Sequence, residues 1–272
     1  MSGKSSPTAV YFVEPVLETV ITNLMNPNHQ KYPYPRKRPL RWLMRRLARF
    51  LLGILGKLTI SGEHHIPDQG PVIVVANHFS ILDVAAMVAL VDHPMEFLGG
   101  HHLVDAPFYL KWLPKLWGFY EVHRGSVSRD AMHASVAILE QKGFLVIFPE
   151  GGSWAQVLRH ARPGTAFLVD KTEAKLLPVG LSGFFELFPT LRQGERPDLD
   201  IKIGSAFGPL RAEGRGKEKR RQLDKHGHTI MEAIARLLPP HERGVYSDNP
   251  DIREAAQEAA VYPYHNLHET GI

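Results

Sequence analysis

The heptad "NHFSILD", Asn77 to Asp83, places a histidine and an aspartate five positions apart, directly after the apolar run "PVIVVA". Imidazole and carboxylate are the base and the orienter of a proton-transfer pair. A carboxylate that accepts from Nδ1–H sets the tautomer, leaves Nε2 as an acceptor and stabilises the imidazolium. Along one ideal helix a five-residue step turns about 500°, which separates the two side chains by about 140°. They meet only if a strand ends at Ala76, His78 lies in the turn and a helix begins near Ser80, so that Asp83 reaches back from the first helical turn. The plainer alternative makes His78 a hydrogen-bonded turn residue and Asp83 a helix cap.

An α/β domain supplies such a strand–turn–helix unit. Short apolar runs alternate with helical patterns from Leu58 onward, with strands expected at "KLTISG", "PVIVVAN", "MEFLGG", "FYEVHR", "FLVIFPE", "KLLPVGLSG" and "LDIKIGSAF". Helices are expected over 82–91, 108–112, 128–142, 165–171 and 218–238. The stretch after Pro239 reads as loop, one short helix and a frayed or docked end. A chain of 272 residues is long enough to bury a core without metals or disulfides. Cysteine is absent, which excludes disulfide frameworks, thiolate zinc sites and cysteine nucleophiles. "VIFPEGGS" ends a strand in two glycines but forms neither a Walker pattern nor GxGxxG. The doublets His64/His65 and His101/His102 have no Asp or Glu to complete a ligand set, so no metal is assigned.

Charge is concentrated at one end. Residues 1–60 carry ten Lys and Arg against two acids, a balance of +8, whereas the remaining 212 residues total −4. Within this region "RKRPLRWLMRRLARFLLGILGKL" mixes arginines with Trp42, Leu43, Leu47, Phe50, Leu51, Ile54, Leu55 and Leu58 at helical spacing. Spanning a bilayer is excluded. Each mid-membrane Arg costs roughly 2.5–3.5 kcal/mol, and the uncharged remainder, 50–56, rises only about 10 Å against a hydrocarbon core of ~30 Å. Lying in the interface is favourable instead, at about 1 kcal/mol per basic residue near an anionic surface. Val16, Leu17, Val20, Ile21, Leu24 and Met25 repeat the stripe upstream. The fold expected is therefore a mixed α/β sheet flanked by helices, carrying an N-terminal amphipathic two-helix membrane-seating motif. Its place is the cytoplasmic face of a membrane, as a peripheral protein, because Glu14 and Glu18 interrupt any secretory-signal pattern. Nucleic acid is not an expected partner.

Four blocks in order then resemble one family. "NHFSILD" is similar to the NHxxxxD motif of the lysophosphatidic acid acyltransferases (1-acylglycerol-3-phosphate acyltransferases), a family of glycerolipid acyltransferases. "GFYEVHR" (118–124), "FPEGGS" (148–153) and "LLPVGLSG" (176–183) resemble its second, third and fourth motifs. The resemblance covers about residues 57–210. It implies transfer of an acyl chain from acyl-coenzyme A or acyl carrier protein to the sn-2 hydroxyl of lysophosphatidic acid, in phospholipid biosynthesis. No cofactor is implied, since the acyl donor is a co-substrate. The resemblance assigns His78 as general base and Asp83 as its orienter, with backbone amides near Gly151 or the His78 turn as oxyanion donors. Arg124 would hold the acceptor phosphate, while Glu150 and Gly151 would shape its site. The family's third motif continues with Thr-Arg after its first glycine, but this chain reads Gly152-Ser153-Trp154. Either Arg159 or Arg162 replaces the missing arginine, or the acceptor is another lysolipid or glycolipid. Hydrolysis of an acyl thioester is the competing reaction of another class. The expected division is membrane-interface helices over 1–56, the acyltransferase domain over 57–240 and a C-terminal tail over 241–272.

Overall fold

The computed structural model describes residues 27–90, 93–100, 116–122, 129–153 and 155–259. The upstream stripe at 16–25, the helix expected over 108–112, Arg124 and Trp154 lie outside the described residues. Every expected strand is present: β1 (Lys57–Ser61), β2 (Val72–Ala76), β3 (Met95–Gly100), β4 (Tyr120–Val122), β5 (Phe144–Ile147), β6 (Lys175–Ser182) and β7 (Asp198–Ile203). They form one sheet in the order β1-β7-β6-β2-β5-β3-β4. β6, β2, β5, β3 and β4 run parallel, whereas β7 is antiparallel to β6 and carries β1 parallel to itself. The sheet is thus mixed.

The helices are α1 (Pro27–Lys31), α2 (Arg38–Leu55), α3 (Leu82–Leu90), α4 (Arg129–Glu140), α5 (Pro163–Lys171), α6 (Leu187–Arg192), α7 (Gly216–Ala235) and α8 (Pro250–Ala259). Alternate strand residues divide the core in two. Val72, Val74, Ala76, Val146 and Val179 pack beneath α2 and α3, while Ile73, Val75, Leu145, Ile147 and Leu176 pack beneath α4, α5 and α7. Every residue of β2 and β5 is buried, because both faces of a parallel sheet are covered. This is why "VIVVA" and "FLVI" read as unbroken apolar runs.

α2 is turned opposite to a core-facing amphipathic helix. Arg41, Arg45 and Leu52 are buried, whereas Trp42, Leu43, Leu47, Phe50, Leu51 and Ile54 are 45–63% exposed. The inward arginine is neutralised by a fully buried carboxylate. Arg41 donates to both oxygens of Glu96 on β3, at 2.7 and 2.9 Å, and to the carbonyl of Trp117. Arg36 reaches the same carboxylate from the preceding loop. Burying a carboxylate without such partners would cost several kcal/mol. Of the basic residues expected to meet an anionic surface, Arg36 and Arg41 therefore dock the helix instead, and Arg45 is buried. Arg38 and Arg46 remain exposed.

Candidate active site

The crossover from β2 passes through α3 beyond β5 to β3, and the crossover from β5 returns through α5 beyond β2 to β6. The two connections leave on opposite faces from the carboxyl ends of β2 and β5, the end of the strands at which open parallel sheets bind ligands. The first and third sequence motifs are the two loops at this point. Register places Val75 beside Ile147, and just beyond this pair His78 and Phe148 stack, with ring centroids 4.3 Å apart and planes 21° from parallel.

Asp83 lies in the first turn of α3 and is 1% exposed. Its Oδ2 accepts from His78 Nδ1 at 3.1 Å and from the backbone N–H groups of Phe79 and Ser80 at 2.6 and 2.7 Å. Ser80 Oγ in turn accepts from Leu82 N–H, so "SILD" is a capping box in which the third helical residue reaches back to the capping N–H. The two sequence readings of Asp83, cap and orienter, describe the same carboxylate oxygen. Because a carboxylate only accepts, Nδ1 carries the proton and Nε2 presents a lone pair. Nε2 has no partner among the described residues, and 16% of the His78 side chain is exposed. The ring is thus held from one edge and one face, and its remaining edge is free to accept a proton.

Behind the turn sits Glu150, 1% exposed. Its Oε1 accepts from the His78 backbone N–H at 2.9 Å, and its Oε2 accepts from Arg159 N–H and Nε at 3.2 and 2.9 Å. Burial pushes this carboxyl up to about 7, against the pull of Arg159 and the backbone donors. Glu150 therefore ties the first motif to the third instead of lining open space. Asn77 makes the corresponding tie to the fourth, bonding the N–H and carbonyl of Leu181 at 2.8 Å each.

Two sequence expectations change here. The N–H groups of His78, Phe79 and Ser80 are all consumed internally, and Gly151 N–H bonds the Phe148 carbonyl, so these amides are not the oxyanion donors. Arg159, expected as a replacement phosphate ligand, is 2% exposed and spans Glu150 and the Gly152 carbonyl, 2.6 Å away. Its fork is directed inward. Arg162 is exposed at the same loop. Gly151 has φ +79°, and a Cβ there would stand 3.1 Å from Arg162 Cγ, so the arginine stem packs on the glycine. Arg124 lies outside the described residues. A separate cleft of about 260 Å³, lined in part by Arg38, Asp68, His93 and Lys142, lies at the amino ends of β2, β3 and β5, away from the dyad.

The segment after α7, set apart as a tail from sequence, returns to the site. The Glu242 carbonyl accepts from Leu158 N–H, and the Leu158 carbonyl accepts from Val245 N–H. Gly244 adopts φ +51°, and a Cβ there would lie 2.1 Å from the Leu158 carbonyl oxygen. Any side chain would push the two strands of contact apart.

Comparison with known proteins agrees with this architecture. The acyltransferase family model matches residues 57–182. The crystal structure of the 1-acyl-sn-glycerophosphate (LPA) acyltransferase PlsC from Thermotoga maritima superposes with a TM-score of 0.50 at 18% identity, over 80% of this chain and 91% of that one. That likeness establishes a common fold.

Proposed function

We propose, from the match of the acyltransferase family model to residues 57–182, that this chain transfers a fatty acyl group from an acyl-coenzyme A or acyl carrier protein thioester to the sn-2 hydroxyl of a lysophosphatidic acid. The observation that carries this reading is the oriented imidazole at the carboxyl ends of β2 and β5, with Nδ1 on Asp83 and Nε2 without a partner among the described residues. Nε2 takes the hydroxyl proton as the oxygen attacks the thioester carbonyl. The carbon–sulfur bond of the tetrahedral intermediate then breaks, and the imidazolium returns its proton to the leaving thiolate. Asp83 holds the ring and stabilises its cationic form, and no acyl-enzyme is needed. Arg162 and Arg124 are the proposed acceptor-phosphate ligands.

One observation favours a second acceptor class. Gly152 and Ser153 occupy the place of the family's Thr-Arg, and Arg159 does not supply the missing cation at the surface. Another lysolipid or glycolipid alcohol then becomes the acceptor. Purified protein, oleoyl-coenzyme A and a panel of lysolipids in mixed micelles decide between them by thiol release. Release with lysophosphatidate above all others supports the first reading, and preference for an uncharged headgroup supports the second. Absence of release above a His78→Ala control with every acceptor rejects both.

We place the protein at the cytoplasmic face of a membrane, seated by α2. No helix among the described residues is long and apolar enough to cross a membrane. The outward stripe of α2 instead offers six half-exposed apolar side chains flanked by Arg38 and Arg46, and immersing them in the acyl boundary contributes roughly 5 kcal/mol. The triple substitution L47S/F50S/I54S is expected to lower binding to vesicles containing anionic lipid by at least about 100-fold, while the melting temperature stays unchanged. Vesicle flotation measures this, and undiminished binding would remove the helix from the interface.

A further inference from the structure

The amino end of the sheet carries a second set of charged groups. The cleft of about 260 Å³ there opens between the loop that leads into α2 and the turn that leads into β5, at the opposite end of β2 from His78. Its floor is built by the core. Tyr34 Oη donates to the Pro94 carbonyl at 2.6 Å and accepts from Phe144 N–H at 3.3 Å. The His93 ring lies flat on that of Phe144, with centroids 4.4 Å apart and planes 7° from parallel. A Cβ on Gly70 would stand 2.4 Å from the Lys142 carbonyl oxygen, so glycine lets the segment bearing Asp68 and Gln69 run close against the turn after α4. The walls are fixed by packing and hydrogen bonds.

The charged side chains along these walls have no such ties. Arg38, Asp68, Gln69 and Lys142 make no side-chain hydrogen bond or ion pair with any described residue, whereas the neighbouring Arg36 and Arg41 are both committed to Glu96. Lys142 has φ +57°. This left-handed conformation closes α4, with Lys142 N–H on the Leu139 carbonyl and Gly143 N–H on the Ile138 carbonyl, and the residue it favours is glycine. A lysine held there against the preference of its backbone points to a use for its side chain. α2 begins at Arg38 with no side-chain cap, which leaves the positive end of the helix at the rim. Burial holds the His93 imidazole below its usual value, against the pull of Asp68. The fixed charges of the cleft at neutral pH are therefore Arg38, Lys142 and the one carboxylate of Asp68.

We propose that this cleft binds a phosphorylated polyol, with its phosphate between Arg38 and Lys142 and its hydroxyls on Asp68 and Gln69. The arginine fork donates two parallel hydrogen bonds to a phosphate, and the lysine adds a compact charge. A carboxylate beside them repels a bare anion, so its presence selects a ligand that also brings donors. The volume suits a headgroup and falls below the ~300–1,000 Å³ that hold drug-sized ligands. Glycerol phosphate has this chemistry, free or as the headgroup of a phospholipid. Trp42, 56% exposed, follows Arg38 by one turn of α2, which places an apolar side chain beside the rim for the chains of a lipid. The site stands independently of the acyl-transfer reading, because the cleft and His78 lie at opposite ends of β2.

Titration of the full chain with glycerol 3-phosphate, followed by NMR at the Gly70 and Gly143 amides, is expected to give a saturable shift. R38Q/K142Q should weaken it at least about 10-fold, the worth of one charge-assisted hydrogen bond. K171Q/K225Q, which removes two exposed cations from α5 and α7, should leave it unchanged. D68N should tighten inorganic phosphate, by removing the repulsion, but not glycerol 3-phosphate. Flotation with phosphatidylcholine vesicles, with and without phosphatidylglycerol, then separates the two sources. A gain with phosphatidylglycerol that glycerol 3-phosphate reverses identifies the lipid headgroup as the occupant, and a gain that it leaves in place identifies the free compound. Absence of a saturable shift, equal affinity in a folded R38Q/K142Q, or an equal loss in K171Q/K225Q overturns the inference. So does a D68N protein that tightens both ligands alike, since the carboxylate then contacts no hydroxyl.

Discussion

Replacement of His78 by alanine is expected to lower acyl transfer by about 10²–10⁴-fold, the usual worth of a positioned general base, and to leave the melting temperature nearly unchanged. The side chain makes one hydrogen bond and one ring contact in the turn after β2, so its loss opens no core cavity. Asp83→Ala should behave differently. It removes the orienter and also strands the buried N–H groups of Phe79 and Ser80, at about 1–3 kcal/mol each. Activity and stability fall together in that variant. Asp83→Asn separates the effects in part, because its amide oxygen still accepts while its NH2 faces donors. Thermal melts beside thiol-release rates check the pattern. An Asp83→Ala protein as stable as the wild type would mean that the carboxylate does not hold the turn.

The second large effect belongs to Glu150. Removing one partner of a buried ion pair leaves the other uncompensated, and costs about 3–5 kcal/mol. Glu150→Ala would strand Arg159, 2% exposed, together with two backbone N–H groups. The His78 turn would lose its anchor on β5, so transfer should fall even at temperatures where the variant stays folded. Adding Arg159→Met removes the stranded charge and should recover part of the stability without recovering activity. Denaturant melts and rates of the single and double variants give the coupling. If Arg159→Met alone left activity and stability intact, and Glu150→Ala changed only the affinity for the acceptor, Glu150 would be a substrate contact and not a brace.

These expectations differ in how far they can be read before folding. The strands and the dyad are local: "VIVVA" announces a strand buried on both faces, and Ser80 with Asp83 spells a capping box in four consecutive residues. Six-residue α6 shows too little of a helical period to be read. Resemblance to the acyltransferases likewise resides in short ordered blocks and supplies the chemistry of His78 and Asp83 as an expectation.

Partnerships across long separations are not visible in that way. An arginine beside an apolar helix face reads equally as a surface cation or as the partner of a buried acid. Arg41 and Arg159 became the second only because Glu96 and Glu150 were carried to them by strands β3 and β5. Gly244 and the turn of 240–246 read as the start of a tail, yet they pair with Leu158 in the loop that follows the third motif and reach Ser182 in the fourth. Residue type and short-range spacing determine which local structures form and which groups are able to move a proton. Which charges are spent on holding the site, and which remain for a substrate, was decided by tertiary structure, because desolvation and ion pairing depend on neighbours that only the folded chain provides.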